Sequence, residues 1–524
     1  MYDGSKPPGQ YTYDIFKSAP IDIMTVGNHE LYINTTAARE FTTMVPLYKS
    51  SYLASNLNIT DPPLGAPVGA PTVPFAPRFK KFKTSNQNRT VLAFGFLYNF
   101  GKPADNLRIQ NVSDTVKEKW FLDALNSGPI DLIVVAGHVQ LATSRWAGQE
   151  FPWIFDAIRK NAATRNTPIA FFGGHAHVRD ARKFDDRAYG IASGRYAETV
   201  GFLSLSNLSN NAVAGEDNDI SSLATPNLTC QRRYIDSNLF SYYHHSGKTS
   251  ATFDTQLGID VSKDITKARA ALQLDKAYGC APSDLSLYYA PYLSNQSILT
   301  WLETQVFPDT WAPLLTPPAG GRGTDCSSTN GTGNPLLVMT NSGAIGFDIF
   351  KGPFTVDSVI NMSPFVSGFK CLTAVPAALA RQMVAKLNAG PPMIDDEAED
   401  GEAARARLWE ELRISPSFLS DQAASLEPEK SGYAIASDGS HVDQTLMWER
   451  TMDEPALQLG YVTTDELGTD GDDTPHIPYP TYTVANVIDA TIALPTATPI
   501  VVDVVYNEFM EKVRSNAFTR STQG

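Results

Sequence analysis

Three short apolar runs in roughly the first third of the chain stop at a glycine, and each glycine is followed within two residues by histidine. Ile21 to Val26 leads into Gly27-Asn28-His29-Glu30. Ile130 to Val135 leads into Gly137-His138, and Ile169 to Phe172 leads into Gly173-Gly174-His175-Ala176-His177. A fourth run, Val91 to Leu97, lacks the histidine. Runs this short, bounded by Gly and Pro, suit strands buried on both faces better than helices. Helix-like segments lie between them, at Asp114 to Leu125 and Trp153 to Ala163. Strands alternating with helices predict an α/β layered domain. In such domains the working residues gather at the carboxyl ends of strands, where His29, His138 and His175 fall.

The residue types narrow the chemistry. Neutral imidazole is a good donor to divalent transition metals, and an asparagine carbonyl adds a hard oxygen. Asn28, His138 and His175 could reach one ion from three strand ends. His177, two residues beyond His175, could face a second ion and leave His29 for substrate. A single Gly-His pair is usually only a turn; the signal lies in the ordered set.

At 524 residues the chain is too long for one typical domain. The first domain is expected to span 1–250 and the second, α+β, to span 251–524, with a helical segment beginning around Ile265. An acidic stretch near 391–402, including Asp395 to Asp400, reads as a solvated insertion. Asn207 to Thr229 reads as a surface loop. A net charge of −14 argues against a nucleic-acid partner. No run is long enough to span a bilayer, and no signal peptide is visible. Nine Asn-x-Ser/Thr sequons occur, at Asn34, Asn58, Asn88, Asn111, Asn207, Asn227, Asn295, Asn330 and Asn361. Average composition would give roughly half that number. The four cysteines are even in number, lack C-x-x-C spacing, and could form two disulfides in any of three pairings. Together these features point to a glycoprotein of the secretory route, vacuolar or extracellular.

Gly27-Asn28-His29-Glu30, Gly137-His138 and Gly174-His175-Ala176-His177 resemble the later motifs of the calcineurin-like metallophosphoesterases. The second half resembles a 5′-nucleotidase C-terminal domain, through Asn341-Ser342-Gly343-Ala344-Ile345 and Ser363-Pro364-Phe365. The combination is similar to a fungal group of secreted or vacuolar proteins. The resemblance implies a four-layer α/β/β/α metallophosphoesterase domain followed by an α+β domain. It implies two divalent ions (Mn, Zn or Fe), with Asn28, His138 and His175 on one and His177 on the other. His29 would stabilise the phosphoryl transition state or protonate the leaving group, and Asn341, Gly343 and Phe365 would bind substrate. The implied reaction is hydrolysis of a phosphomonoester or nucleotide-like small molecule by a dinuclear metal-hydroxide mechanism. A protein Ser/Thr phosphatase shares the metal motifs, but a nucleotidase-like second domain favours small substrates.

The chain also departs from that pattern. None of its eight histidines has Asp two positions before it, and its one Gly-Asp pair is Gly471-Asp472. The Asp-x-His and Gly-Asp-x-x-Asp motifs that give the bridging carboxylate are therefore absent. The family's first strands and leader are expected to be missing with them. Weak or no hydrolysis is expected from this chain, with a non-catalytic relative as the alternative. Tyr32 stands where nucleotidases carry Asp, and Gly346 stands where they carry a substrate-holding arginine. Asp470 to Asp473 reads as a solvated turn.

Overall fold

Three of the four apolar runs form the middle of one six-stranded sheet in the computed structural model. Its strands are β2 (Phe79–Lys83), β3 (Thr90–Leu97), β4 (Leu132–His138), β5 (Ile169–Gly173), β6 (Arg179–Asp185) and β7 (Ala188–Ser193). The first run contributes only β1 (Met24–Thr25), which pairs in parallel with Tyr52–Leu53 outside that sheet. The sheet order is β6-β7-β5-β4-β3-β2. The four inner strands are parallel and the two edge strands antiparallel. The structure describes residues 5, 9–67, 69–99, 103–142, 149–208, 228–315, 334–363, 369–389, 463–474, 487–492 and 501–507. The acidic stretch 391–402, Phe365 and most of the segment 207–229 lie outside them.

Successive strand residues face opposite sides, so each inner strand must be apolar throughout. Leu92, Phe94, Phe96, Ile133, Val135, Ile169 and Phe171 meet Phe121 of α1 (Lys119–Leu125) and Phe151, Ile154 and Ile158 of α2 (Glu150–Lys160). Val91, Ala93, Val134 and Ala170 face the other way, against Leu203 and Leu205. Those two belong to an antiparallel pair, β8 (Thr199–Ser206) and β9 (Thr229–Asp236). The layers run helix, sheet, sheet, with a further helix, Leu239–Ser246, packed by β9. Each large side chain fully buried there contributes about 1.5–3 kcal/mol.

This first unit comprises Met1–Ala268 and, from far along the chain, Ala456–Pro478. The returning segment corrects the reading of Asp470 to Asp473 as a solvated turn. The Arg232 side chain, 4% exposed, donates to Asp465 at 2.6 and 2.8 Å and to Asp470 at 2.6 Å. Arg179 donates to Asp236 at 2.6 Å and Asp472 at 3.1 Å, and the Tyr234 hydroxyl donates to Asp465 at 2.8 Å. The side chains of Asp465, Asp472 and Asp473 are almost wholly buried, and only Asp470 is open to water. The arginines compensate charges that could not otherwise leave solvent.

The second unit comprises Arg269–Pro455 and Tyr479–Gly524. The helix expected from Ile265 starts earlier, as α3 (Gln256–Ala271), because the Thr255 hydroxyl accepts from the Gly258 amide at 3.1 Å and caps its first turn. A four-stranded sheet holds β10 (Leu336–Asn341), β11 (Phe369–Pro376), β12 (Val487–Ile492) and β13 (Val501–Asn507), in the order β11-β13-β10-β12. One face packs Leu336, Val338 and Ile488 on Ile298, Leu299 and Trp311 of the helical stretch from Ile298 to Leu315. The other packs Leu337, Met339 and Val504 on Ala380 and Val384 of α4 (Ala377–Ala389). Cys371 is disulfide-bonded, whereas Cys230 and Cys280 are free thiols. Two free thiols among the described residues rule out the two bridges that the sequence allowed.

Candidate metal centre

The parallel register sets the stage. His138 closes β4 and pairs with Leu97 at the end of β3, and β5 ends one strand over at Gly173. Gly137 sits where a side chain would clash, and Gly27 sits where one would be tight. A Cβ at Gly27 would stand 3.1 Å from His138 Cε1 and 3.2 Å from Glu30 Oε2, and one at Gly137 would stand 2.7 Å from the Phe151 ring. The chain then turns at Asn28–Glu30 in a single 3₁₀ turn, leaving Asn28 fully buried. After β5, His175 and His177 hold φ of 68° and 60°, and a hydrogen bond from Ala176 N to Gly174 O spans 2.7 Å. Histidine tolerates this left-handed region better than most non-glycine residues.

Three donor atoms converge. Asn28 Oδ1 lies 2.7 Å from His138 Nε2, and His175 Nδ1 lies 3.2 Å from the same nitrogen. Two ligand atoms each about 2.1 Å from one ion, at right angles, sit about 3 Å apart. The two measured spacings are ones that Asn28, His138 and His175 could offer to a single first-row dication. The Asn28 Nδ2 donates to the Tyr32 hydroxyl at 2.6 Å, which turns its oxygen toward His138. Tyr98 stacks on the His175 ring at 4.2 Å. Burial pushes both His138 and His175 down to about 3, with neighbouring imidazoles adding to the shift. Both rings are thus neutral donors at physiological pH.

His177 and His29 are close enough to influence those two rings. The His177 ring lies 5.9 Å from Tyr196, and the His29 ring lies edge-on to Tyr32 at 5.7 Å. Among the described residues, no group of three or more His, Cys, Asp or Glu side chains is set to hold an ion, so the convergent set depends on the asparagine oxygen. Asn341 and Gly343 stand in the second unit, at the end of β10 and in the 3₁₀ turn Ser342–Ala344. Asn341 is fully buried, and neither its amide nitrogen nor its oxygen has a hydrogen-bond partner. Gly343 is exposed, and Phe365 lies outside the described residues. Sequence reasoning missed Tyr32 and Tyr98 as supports of the centre. Tyr32, four residues after Asn28, carried the only available signal, a spacing that one helical turn brings together.

The family model for "Calcineurin-like phosphoesterase" matches residues 1–179, and that for "NAD nucleotidase, C-terminal domain" matches residues 284–513. The chain is 28% identical to a protein of Arthroderma benhamiae named "Secreted protein", over 97% of this chain and 75% of that protein. It is 29% identical to an uncharacterized protein of Schizosaccharomyces pombe, over 98% of this chain and 74% of that protein. Its structure is similar to the crystal structure of 5′-nucleotidase from Candida albicans, with a TM-score of 0.73 and 27% identity, covering 99% of this chain and 82% of that one.

Proposed function

Because the chain joins a calcineurin-like phosphoesterase domain to a NAD-nucleotidase C-terminal domain, we propose that it is a metal-dependent hydrolase of phosphomonoesters or nucleotide-like small molecules. The observation that carries this reading is the convergence of Asn28 Oδ1, His138 Nε2 and His175 Nδ1 at 2.7 and 3.2 Å. A divalent ion held there supplies charge stabilisation at the phosphoryl oxygens and lowers the pKa of water. The residues of this chain do the rest. Asn28 is oriented by Tyr32, His138 and His175 offer neutral lone pairs, and His177 serves a second ion. His29 hydrogen-bonds the phosphoryl group or protonates the leaving oxygen. In the second unit, Asn341, Gly343 and Phe365 are the residues assigned to substrate.

None of the four metal-facing side chains carries a negative charge, so the affinity for a dication and the turnover of this chain are low. The same fact favours a second reading, in which the scaffold binds a ligand without hydrolysing it. Titration with Mn²⁺ by calorimetry and hydrolysis of p-nitrophenyl phosphate and nucleoside monophosphates distinguish them, with His138→Ala and His175→Ala as controls. The hydrolase reading expects Mn²⁺ binding that is at least tenfold weaker in either variant, and hydrolysis that tracks metal occupancy. Binding without hydrolysis favours the scaffold, and no specific binding at all sinks the metal centre.

The sequons, the disulfide at Cys371 and a relative named "Secreted protein" support a vacuolar or extracellular location. No helix among the described residues is long and apolar enough to cross a membrane. Imaging of a tagged chain in its own cell tests the location, and a cytosolic signal would overturn it.

A further inference from the structure

We propose that Asn88 carries an N-linked oligosaccharide and that Asn58, an equally good sequon by sequence, does not. Asn88 sits in the turn between β2 and β3, exposed, with φ of 55° and its N–H donating to Thr84 O at 3.0 Å. That turn ends the edge of the six-stranded sheet, because among the described residues β2 pairs only with β3. A bulky substituent there meets solvent. Asn58 lies on the strand Leu57–Thr60, which is paired on both sides, with Thr72–Pro74 and Leu107–Ile109. Its Oδ1 accepts from Arg78 at 3.2 Å, and Thr60 of its sequon is 4% exposed. A glycan at Asn58 would break that contact and would have to clear two neighbouring strands.

The modification is a group transfer from a lipid-pyrophosphate-linked oligosaccharide. Asn88 Nδ2 forms a bond to the anomeric carbon, the anomeric carbon–oxygen bond to pyrophosphate breaks, and the lipid pyrophosphate leaves with the electron pair. The nitrogen gives up one proton. The sugar then stands at the amino end of β3, whereas His138 lies beside Leu97 at its carboxyl end. Seven strand steps separate the two by about 23 Å. The glycan leaves the metal rim open and covers one end of an edge strand that carries Lys80, Lys81 and Lys83, reinforcing the charges that already discourage edge pairing.

This inference rests on the secretory reading, so its test removes that dependence. The full chain is sent through a fungal secretory route by an added leader peptide. The secreted protein is then treated with peptide N-glycosidase in heavy-oxygen water and mapped by mass spectrometry. The heavy-oxygen tag is expected at Asn88 and absent from Asn58, and Asn88→Gln should remove one glycan from the intact mass while keeping Mn²⁺ affinity. An untagged Asn88, or a tag at Asn58 as strong as at Asn88, overturns the inference. Because the leader forces entry, either result leaves the native location to its own imaging test.

Discussion

The Asn28 side chain is useful only because something else fixes which way its amide points. With Tyr32 taking the Nδ2 hydrogen, the oxygen faces His138. Tyr32→Phe should weaken Mn²⁺ binding by about tenfold, the usual effect of losing an orienting partner, while the melting temperature barely moves. Unchanged affinity in a calorimetric titration would show that the amide is held by other means. The two depressed imidazoles make a second prediction, for the metal-free protein. In the fold His138 and His175 take protons near pH 3, whereas unfolded they take them near 6.5. The unfolded chain binds more protons between those values. Stability is therefore full above about 6.5 and falls as pH drops toward 3, by up to about 1.4 kcal/mol per pH unit for each ring. Urea unfolding across that window checks it, and His138→Gln should flatten the slope. At this scale the histidines were legible because each motif follows a glycine at the end of an apolar run. Tyr32 was not, because nothing in a tyrosine's identity tells whether it packs or orients.

Among the elements, the sheet of the second unit closes one edge with a carboxyl group. β12 is an edge strand, and Glu303 accepts from its Asp489 amide at 3.1 Å and from the Tyr292 hydroxyl at 2.5 Å. Burial, with the Asp489 charge adding, pushes Glu303 up to about 7. A raised carboxyl favours the fold below its unfolded pKa, and that contribution is lost as pH climbs through 7. Glu303→Gln keeps the acceptor oxygen and removes the ionisation. It should match the parent in thermal unfolding at about pH 4 and exceed it at about pH 8, by on the order of 2 kcal/mol. A variant less stable at both would show that the carboxylate itself is required. The strands were readable at this level because four apolar runs leave few other places to go. The run Ile21 to Val26 yielded only two strand residues, and α3 began well before its expected start, because a cap at Thr255 outweighs the apolar pattern behind it.

For the molecule as a whole, the first unit is completed by a segment that belongs to it only in space. Asp465→Ala would strip a buried guanidinium of its bidentate partner and should cost about 3 kcal/mol in urea unfolding; a loss under a tenth of that would mean Asp470 suffices. A chain ending at residue 268 should bind a peptide of residues 456–478 added in trans, and a peptide lacking Asp465 should not, as fluorescence anisotropy would report. None of this was legible beforehand. The stretch reads as acidic turn residues with no periodicity, and its partners Arg179 and Arg232 lie more than two hundred positions away. The discontinuity also sets a clock on biosynthesis. About 200 residues separate the end of the unit's main body from its closing piece, so at ribosomal speeds of about 5–20 residues per second the nascent chain waits on the order of 10–40 s with the Arg232 guanidinium lacking its Asp465 and Asp470 partners. Chaperone engagement during translation should concentrate in that interval.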